Sequence, residues 1–544
     1  MKIFLAQINP IIGDLAGNTQ KIVSAIDRAR SEGAQVILFP EMTITGYPPE
    51  DFLVMPHFIE AVEESLHTII SASTGIATVV GLPRKNPELS GEFLCNSAAI
   101  IDDGVLLGFQ DKALLPSYDV FSERRYFAPT EQFHVWELYG KKVVVTICED
   151  IWQHSDLITQ TRYPYDPIEG IQSLNPDIVL NLSASPFNLE KCEERISVCK
   201  KAAATLNCPV VLCNQVGGND SLIFDGHSVY AGSDGQVLGL ARGFVEDFLM
   251  IDTEHRNTLR EFDVNSLKNL YDALVLGVRD YFHKSGFTSA CLGLSGGIDS
   301  AVVACLAVEA LGSDHVLGVS MPSRYSSEGS VSDAKALSKN LGIDLWSIPI
   351  EKPFSAYLET LEPFFKDYPK DVTEENIQAR ARGMIMMAIS NKLGHVVLAT
   401  GNKSEMAMGY ATLYGDMCGG LGVISDLTKK QVYALANWIN REKEVIPVST
   451  ITKPPSAELR LNQKDSDSLP DYEVIDNIVS AYVEKHLSVL EIVKRYGYDR
   501  ELVEELVRKI HRNEYKRRQS APGLRVSAKS FTTGRRFPIV QGWK

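Results

Sequence analysis

The stretch ACLGLSGGIDS, residues 290–300, decides the fold of the second half of this chain. Residues 290–294 have the apolar pattern of a buried strand, and the residues from Asp299 onward have the pattern of an amphipathic helix. A strand, a glycine-rich turn and a helix, followed by the strand HVLGVSM at 315–321, predict a βαβ unit. Further helices and strands, ending in HVVLAT at 395–400, predict that this unit belongs to a larger, Rossmann-like parallel sheet.

The turn SGGIDS has the composition of a phosphate-binding loop. Its two glycines let backbone amides approach an anion closely, its serine hydroxyls donate hydrogen bonds, and the helix N-terminus adds partial positive charge. Asp299 would repel a phosphate unless Mg²⁺ lies between them. The loop lacks the GK[ST] ending of a P-loop, so it indicates a different class of nucleotide site.

The first half has another pattern, in which short apolar runs alternate with helical segments such as residues 18–32. These features predict an α/β sandwich with many strands. The strand-like runs are KIFLAQI, VILFP, ATVVGLP, SAAII, VVVTI, DIVLNLS and VVLCNQ. The charged stretch TEHRNTLREFD then separates the halves. We therefore predict domains at 1–253 and 267–544, joined by a linker at 254–266.

Composition excludes several classes of protein. The chain has 544 residues, of which 44% are hydrophobic and 23% charged, and this balance is typical of globular proteins. No run approaches the roughly 18 apolar residues of a spanning helix, and the N-terminus lacks the organisation of a signal peptide. Nine cysteines without a C-x-x-C pair argue against a disulfide framework or structural zinc. We expect a cytoplasmic protein that does not interact with membranes.

Charge is distributed unevenly along the chain. The formal net charge is −15, yet residues 508–544 contain eleven lysines and arginines and one acid, Glu514. A solvated tail, a contact with a phosphate-bearing ligand and a nucleic-acid patch are the three interpretations of this segment. The acidic remainder argues against nucleic acid.

Cys148 is the cysteine with the most suitable setting for a nucleophile. It directly follows the strand VVVTI at 143–147, where a sharp turn can expose the thiol. A thiol needs a base, and the oxyanion formed by its attack needs a positive donor. Glu41, after the strand VILFP, and Lys112 are candidates for these two roles.

Glu41, Lys112 and Cys148, in this order and in the settings FPE and CED, resemble the nitrilase (carbon-nitrogen hydrolase) superfamily over residues 1–253. The resemblance implies an α-β-β-α sandwich that hydrolyses an amide through a thioester, with Glu41 as base and Lys112 as oxyanion donor. It also implies that Glu123 orients Lys112. The positions that match glutamine-binding residues in glutaminase domains of this type are Tyr118, Ser185 and Lys191.

The loop SGGIDS resembles the pyrophosphate loop, SGGxDS, of ATP-pyrophosphatases, which have an adenine nucleotide alpha hydrolase-like fold and split ATP into AMP and pyrophosphate. Synthetases of GMP, asparagine, argininosuccinate and modified tRNA share this loop. The segments ENIQARARG at 375–383 and TGNKSE at 400–405 extend the resemblance to the NAD⁺ synthetase family, from about residue 266 to the end.

The NAD⁺ synthetase resemblance implies three sets of ligand contacts. Asp299 and Glu405 would hold Mg²⁺. Deamido-NAD⁺ (nicotinic acid adenine dinucleotide) would contact Asn376, Glu405 and Lys516, so that the basic tail meets a phosphate-bearing ligand. ATP would contact Gly293, Leu294, Ser295, Gly296, Gly297, Ile298, Asp299, Ser300 and Thr400.

Together the two halves resemble glutamine-dependent NAD⁺ synthetases, in which ammonia from glutamine amidates an adenylated acid. The expected substrates are L-glutamine, ATP and deamido-NAD⁺, and we expect a homo-oligomer without a nucleic-acid partner. Three alternatives remain at this point: another amidotransferase of the pyrophosphatase type, a tRNA-modifying enzyme that uses the basic tail, and a non-catalytic nucleotide sensor.

Overall fold

The computed structural model describes residues 1–88, 91–155, 161–254 and 266–543, and it separates into two compact units, Met1–Val264 and Asn265–Lys544. Almost all of the predicted linker, residues 254–266, lies outside the described residues. Within the described ranges, no helix combines the length and the apolar character needed to cross a membrane.

The first unit contains fourteen strands in its described part. The helices are α1 (Leu15–Ser31), α2 (Pro56–Ala72), α3 (Pro167–Gln172) and α4 (Lys191–Leu206), with 3-10 turns at Glu50–Val54, Glu123–Arg125 and Cys148–Ile151. The strands are β1 (Lys2–Gln7), β2 (Val36–Leu38), β3 (Ala77–Lys85), β4 (Leu94–Asp102), β5 (Val105–Asp111), β6 (Val135–Leu138), β7 (Lys141–Ile147), β8 (Ile178–Ser183), β9 (Val210–Asn214), β10 (Val216–Asn219), β11 (Leu222–Asp225), β12 (Val229–Ala231), β13 (Val237–Leu240) and β14 (Asp247–Asp252).

Two six-stranded sheets form the centre of this unit. Their orders are β14-β1-β2-β3-β4-β5 and β13-β12-β9-β8-β7-β6, and β10 and β11 form a separate ribbon. Strand β7 shows why the sheets pack face to face: Val143, Val145 and Ile147 lie between the sheets, whereas Val144 faces the helical side. Burial on both faces explains the uninterrupted apolar run. The predicted α-β-β-α sandwich is confirmed.

The second unit is built on a parallel sheet with many helices. Its strands are β15 (Ala290–Gly293), β16 (Val316–Ser320), β17 (Asp344–Ser347), β18 (Val396–Ala399) and β19 (Leu421–Gly422). Its helices are α5 (Ser266–Ser285), α6 (Ile298–Leu311), α7 (Glu328–Leu341), α8 (Glu351–Phe365), α9 (Val372–Leu393), α10 (Lys403–Met408), α11 (Lys429–Ile439), α12 (Val448–Thr452), α13 (Tyr472–Val479), α14 (Val489–Tyr496), α15 (Arg500–Arg512) and α16 (Glu514–Arg517), with 3-10 turns at Ser313–His315 and Asp465–Asp467 and a π-helical turn at Ser480–Glu484.

The order of this sheet is β17-β16-β15-β18-β19, and every pair of neighbours is parallel. The chain passes from β15 outward to β16 and β17 and then returns to β18 on the other side of β15. This reversal creates a crevice at the carboxyl ends of β15 and β18, where ligands bind in sheets of this kind. The predicted Rossmann-like sheet is confirmed.

The basic tail is folded into the second unit rather than solvated throughout. Helix α15 contributes Leu506 and Ile510 to an apolar core. The buried carboxylate of Glu514 pairs with Arg517 at 2.9 Å, with Arg518 at 3.3 Å and with Arg535. A single acid therefore neutralises part of the tail internally, which weakens the case for a nucleic-acid patch.

Candidate active sites

The first site lies where three strands of the first unit end. Glu41 follows β2, Lys112 directly follows β5, and Cys148 directly follows β7. Their side chains are almost completely buried: Glu41 and Lys112 are 1% exposed and Cys148 is 5% exposed. The structure thus brings together the three residues that the sequence selected, across separations of up to 107 positions in the chain.

One ammonium group is shared by two carboxylates at this site. Nζ of Lys112 lies 2.7 Å from Oε1 of Glu41 and 2.8 Å from Oε1 of Glu123. Burial disfavours the charged lysine, but Glu123 and Glu41 outweigh that effect and raise the pKa of Lys112 well above its usual value. These carboxylates favour the charged form of Lys112, which suits a donor to a developing oxyanion.

Glu41 is held by donors on both of its oxygens. Besides Lys112, Nδ2 of Asn96 donates to Oε1 at 2.6 Å, and the backbone N–H of Ala184 donates to Oε2 at 3.1 Å. Tyr47 donates to Glu123 at 2.8 Å. Asn96 lies in the β4 run CNSAAI, and nothing in that alternation of apolar and polar residues distinguishes it from an ordinary strand residue, so the sequence did not identify it.

Cys148 occupies a strained turn. Its φ angle is +43°, in the left-handed region that side chains other than glycine rarely adopt, at a cost of about 1–3 kcal/mol. Asp150 stabilises this turn, because its carboxylate accepts from the backbone N–H groups of Ile147 at 2.8 Å, Leu114 at 2.9 Å and Ala113 at 3.0 Å. The same carboxylate therefore ties the nucleophile's turn to the segment that follows Lys112.

The surroundings of Cys148 favour the neutral thiol. Burial raises its pKa, Glu41 raises it further, and Lys112 opposes both. A neutral thiol must lose its proton during the reaction, so the site requires a base. Of the carboxylates that raise the pKa of this thiol, Glu41 has the largest effect.

The residues predicted to bind glutamine surround an additional acid. Glu149 accepts from the hydroxyls of Tyr118 at 3.0 Å and Tyr163 at 3.1 Å. Burial raises the pKa of Glu149, and the charges of Lys112 and then Lys191 oppose this effect. Nζ of Lys191 lies 3.7 Å from the centre of the Trp152 ring. A buried acid and a partly buried cation near a nucleophile complement the two charges of an amino acid. The sequence signal for Glu149 was its position directly after Cys148.

Ser185 is 3% exposed and is fixed through its backbone. Its N–H donates to Oδ1 of Asn214 at 2.9 Å, and its carbonyl accepts from Arg195 at 3.4 Å. Arg195 forms a fully buried ion pair with Asp225 at 2.8 Å. Asp225 also belongs, with Cys192 and His227, to the one group of three metal-ligating side chains that converge in the described residues. Within this group Asp225 pairs with both Arg195 and Nδ1 of His227, the latter at 3.0 Å.

The second site is a cavity of about 450 Å³ at the carboxyl ends of β15 and β18. Gly296 has a φ of +79°, and a Cβ there would lie 2.2 Å from the carbonyl oxygen of Ser330. Ser300 donates to the carbonyl of Gly297 at 2.9 Å. Gly296 and Ser300 shape the loop and are not among the described lining residues. The predicted ligand contacts that do line the cavity are Gly293, Leu294, Ser295, Gly297, Ile298, Asp299, Asn376, Thr400, Glu405 and Lys516.

Lys429 joins the two carboxylates that were predicted to hold Mg²⁺. Its Nζ lies 2.6 Å from Oδ2 of Asp299 and 3.2 Å from Oε1 of Glu405, and Asn402 donates to Oδ1 of Asp299 at 2.9 Å. Both carboxylates therefore already face one positive charge, and oxygen donors of this kind are those that Mg²⁺ prefers. The residues fit the cation. No local pattern marks Lys429 in the sequence, since it begins α11, about 130 positions from Asp299.

The residues predicted to meet deamido-NAD⁺ hold one loop of this cavity. Asn376 accepts from the Thr412 hydroxyl at 2.7 Å, and Nζ of Lys516 donates to the carbonyls of Gly409 and Ala411, each at 2.8 Å. Within the described part of the tail, Lys516 is the cation that lines the cavity. The predicted contact of the basic tail with a ligand therefore rests on this lysine.

Comparisons with known proteins agree with this division. The model of the carbon-nitrogen hydrolase family matches residues 2–262, and that of the NAD synthase family matches residues 270–520. The chain is 46% identical to a glutamine-dependent NAD(+) synthetase of Synechocystis sp., with 99% of each chain covered. It is 42% identical to a protein of the same name from Acinetobacter baylyi, covering 100% of this chain and 99% of the relative.

A solved structure is similar over the same extent. The glutamine-dependent NAD+ synthetase of Acinetobacter baumannii, in complex with adenosine diphosphate, is 39% identical and has a TM-score of 0.79. The match covers 100% of this chain and 99% of that one.

Proposed function

The chain belongs to the glutamine-dependent NAD(+) synthetase family, and we propose that its two sites divide that activity between glutamine hydrolysis and amidation of deamido-NAD⁺. The overall reaction consumes ATP, deamido-NAD⁺ and L-glutamine and yields NAD⁺, AMP, pyrophosphate and L-glutamate. The observation that carries the proposed division is the Lys112 ammonium, shared by Glu41 and Glu123 beside the strained turn of Cys148.

In the first unit, Glu41 takes the proton of the Cys148 thiol, and the sulfur attacks the side-chain amide carbon of glutamine. Lys112 stabilises the resulting oxyanion. The carbon–nitrogen bond breaks, Glu41 returns the proton to the leaving nitrogen, and ammonia departs. Glu41 then deprotonates water, which attacks the thioester carbon; the carbon–sulfur bond breaks, glutamate leaves, and Glu41 returns the proton to the Cys148 sulfur.

Glu149 and Lys191 are proposed to recognise the glutamine backbone. The Glu149 carboxylate suits the α-ammonium group and Lys191 suits the α-carboxylate, while Tyr118 orients Glu149 through its hydroxyl. Ser185, at the end of β8, supplies the remaining predicted contact. This assignment explains why a buried acid and a partly buried cation lie near the same nucleophile.

In the second unit, the nicotinate carboxylate of deamido-NAD⁺ attacks the α-phosphorus of ATP, and pyrophosphate leaves toward the loop SGGIDS. Ammonia then attacks the carboxyl carbon of the adenylate, AMP leaves, and the amide forms. Asp299 and Glu405 would hold Mg²⁺, which neutralises phosphate charge when it is bound. Lys429, already beside both carboxylates, adds a further positive charge at the same place.

We also propose that the protein is a homo-oligomer located in the cytoplasm. Support for self-association comes from an apolar surface on α8, the following turn and α9, where Phe364 is 74% and Tyr368 73% exposed. Patches of this kind often mark interfaces. Light scattering after gel filtration should show a molecular mass that is a multiple of the 60.2 kDa of one chain. Phe364→Glu should reduce that mass. Cell fractionation tests the location.

The central test supplies purified protein with Mg²⁺, ATP, deamido-NAD⁺ and either glutamine or ammonium, and follows NAD⁺, AMP and pyrophosphate. Cys148→Ala should lose synthesis from glutamine and retain synthesis from ammonium. Cys208→Ala, another buried cysteine of the first unit, is the matched control and should retain both. Loss of the ammonium reaction in a folded Cys148→Ala protein would contradict the division into two sites.

A further inference from the structure

Asn96 is a buried amide that joins three charged groups of the first site. It lies on β4 and is fully buried. Its Nδ2 donates to Oε1 of Glu41 at 2.6 Å and makes a longer contact of 3.5 Å with Oε2 of Glu123. Its backbone carbonyl accepts from the N–H of Lys112 at 2.8 Å. Asn96 therefore touches the proposed base, the oxyanion donor and the acid that pairs with that donor.

An amide at this position costs free energy. Oδ1 of Asn96 is buried and has no hydrogen-bond partner among the described residues, and burial of an unsatisfied oxygen is unfavourable. A leucine of similar size would avoid this cost, and Ala98 and Ile100, further along the same strand, are apolar core residues. The half of the amide that is satisfied is the donor to Glu41, which points to a role for that donor.

The two oxygens of Glu41 differ in the number of donors that they meet. Oε1 accepts from Nζ of Lys112 at 2.7 Å and from Nδ2 of Asn96 at 2.6 Å. Oε2 accepts from the backbone N–H of Ala184 at 3.1 Å, its single donor in the described part of the chain. Each carboxylate oxygen has two lone pairs, so both are occupied at Oε1 and one is left at Oε2.

We propose that Asn96 is a positioning residue that assigns the proton of the glutaminase reaction to Oε2 of Glu41. By donating to Oε1 together with Lys112, the amide keeps that oxygen from accepting the proton and holds the carboxylate in one orientation. The proposal rests on the proposed function, in which Glu41 takes a proton first from the Cys148 thiol and later from water. Each proton binds at Oε2 and leaves from there, the first to the departing nitrogen and the second to the sulfur.

Loss of this donor has a definite effect on the pH dependence. A hydrogen bond to a carboxylate favours its charged form, so a variant without the amide binds a proton at Glu41 more readily. The charged and titratable groups around Glu41 are Lys112, Glu123 and Cys148, and they are the same in the variant. The acidic limb of kcat/KM for glutamine, which reports the essential base, should therefore move to higher pH by about one unit.

The test follows glutamate release from glutamine across pH, with Mg²⁺, ATP and deamido-NAD⁺ present. Asn96→Leu removes the donor and fills its space, and it should lower kcat about tenfold, change the KM for glutamine less than about twofold and leave NAD⁺ synthesis from ammonium unchanged. Asn96→Ala leaves room for a water that can donate to Oε1, so its losses should be smaller. Asn181→Leu is the matched control, because Asn181 is fully buried on β8 and donates to Thr146. It should keep the wild-type pH profile.

Other outcomes overturn the assignment. A greater loss in Asn96→Ala than in Asn96→Leu would show that Asn96 acts by packing, because a cavity would then matter more than a missing donor. An acidic limb at the wild-type position, or a loss confined to the KM for glutamine, would exclude the role of the amide at Oε1. If circular dichroism shows that Asn96→Leu is unfolded, the limb of Asn96→Ala decides alone. Wild-type glutamate release by Glu41→Gln would instead contradict the proposed function itself.

Discussion

Nζ of Lys429 lies 2.6 Å from Oδ2 of Asp299, although 130 positions separate the two residues in the chain. The same ammonium is 3.2 Å from Glu405. Burial disfavours the charged lysine, yet Asp299 and Glu405 raise the pKa of Lys429 above its usual value. The protein thus supplies its own positive charge between the two carboxylates that are proposed to hold Mg²⁺.

This relationship predicts how the metal site responds to loss of the lysine. Lys429→Met leaves the partly exposed carboxylates of Asp299 and Glu405 without their counter-ion, and their mutual repulsion, although screened in part by solvent, destabilises the fold. The variant should melt at a lower temperature than the wild type in EDTA, and MgCl2 should restore more of its Tm than it adds to the wild type. Differential scanning calorimetry measures both effects.

The neighbouring Lys430 provides the control, because it is exposed and carries the same charge. Lys430→Met should match the wild type with and without Mg²⁺. An equal Mg²⁺ effect in all three proteins would mean that Asp299 and Glu405 do not take up the cation.

The two glycines of the phosphate loop should differ in their tolerance of a methyl group. At Gly296 a Cβ would lie 2.2 Å from a backbone oxygen of Ser330 and φ is +79°, whereas at Gly297 the nearest atom is the mobile Ser295 hydroxyl, at 3.2 Å. Gly296→Ala should therefore reduce NAD⁺ formation from glutamine and from ammonium at least tenfold more than Gly297→Ala does. Steady-state rates with both nitrogen sources check this order, and the reverse order would contradict it.

The buried thiol gives a pH dependence with a definite sign. Because burial and Glu41 raise the pKa of Cys148, the protonated form persists at pH values where a free cysteine, with a pKa of about 8.5, is already a thiolate. The rate at which iodoacetamide modifies Cys148 should therefore still be rising at pH 10 instead of reaching a plateau. Mass spectrometry of the peptide that contains residue 148 measures the rate, and Cys148→Ala identifies the signal. A plateau near pH 8 would show an activated thiolate in the resting protein.

Local sequence patterns were sufficient to predict part of the fold and part of the candidate sites. The strands, the loop SGGIDS and the candidates Glu41, Lys112 and Cys148 were predictable, since each candidate lies at or just after an apolar run whose end exposes side chains. Helix bounds were less accurate: the helix predicted to begin at 18 begins at Leu15, where the Asp14 side chain accepts from the N–H of Gly17. An N-cap of this kind is visible in the sequence. Many other acidic residues could equally be N-caps, however, so the residue type alone does not show where a helix begins.

Partners that arrive from distant elements were not predictable. Lys429 and Asn96 have no local signature, because their roles arise only when the sheets bring strand ends and helix starts together. Internal pairing within the basic tail was not predictable either. A single buried acid, Glu514, pairs with three of its arginines, and composition cannot show such pairing.

Lys516 is the tail residue for which a substrate-specific effect is expected. Its ammonium donates to the carbonyls of Gly409 and Ala411, on the loop whose Thr412 donates to Asn376, and it lines the cavity. Lys516→Ala removes a positive charge from the cavity and two anchors from this loop. The KM for deamido-NAD⁺ should rise about tenfold while the KM for glutamine stays unchanged, since the loss weakens one substrate only.

Arg518→Ala is the matched control for Lys516→Ala, because Arg518 belongs to the same basic run but its side chain is 52% exposed and pairs with Glu514. It should leave both KM values within twofold of the wild type. An equal rise in both KM values for Lys516→Ala would indicate general loosening of the fold. No rise in either would assign Lys516 to the support of the 409–412 segment without a part in binding, and the tail would then lose its proposed contact with the dinucleotide.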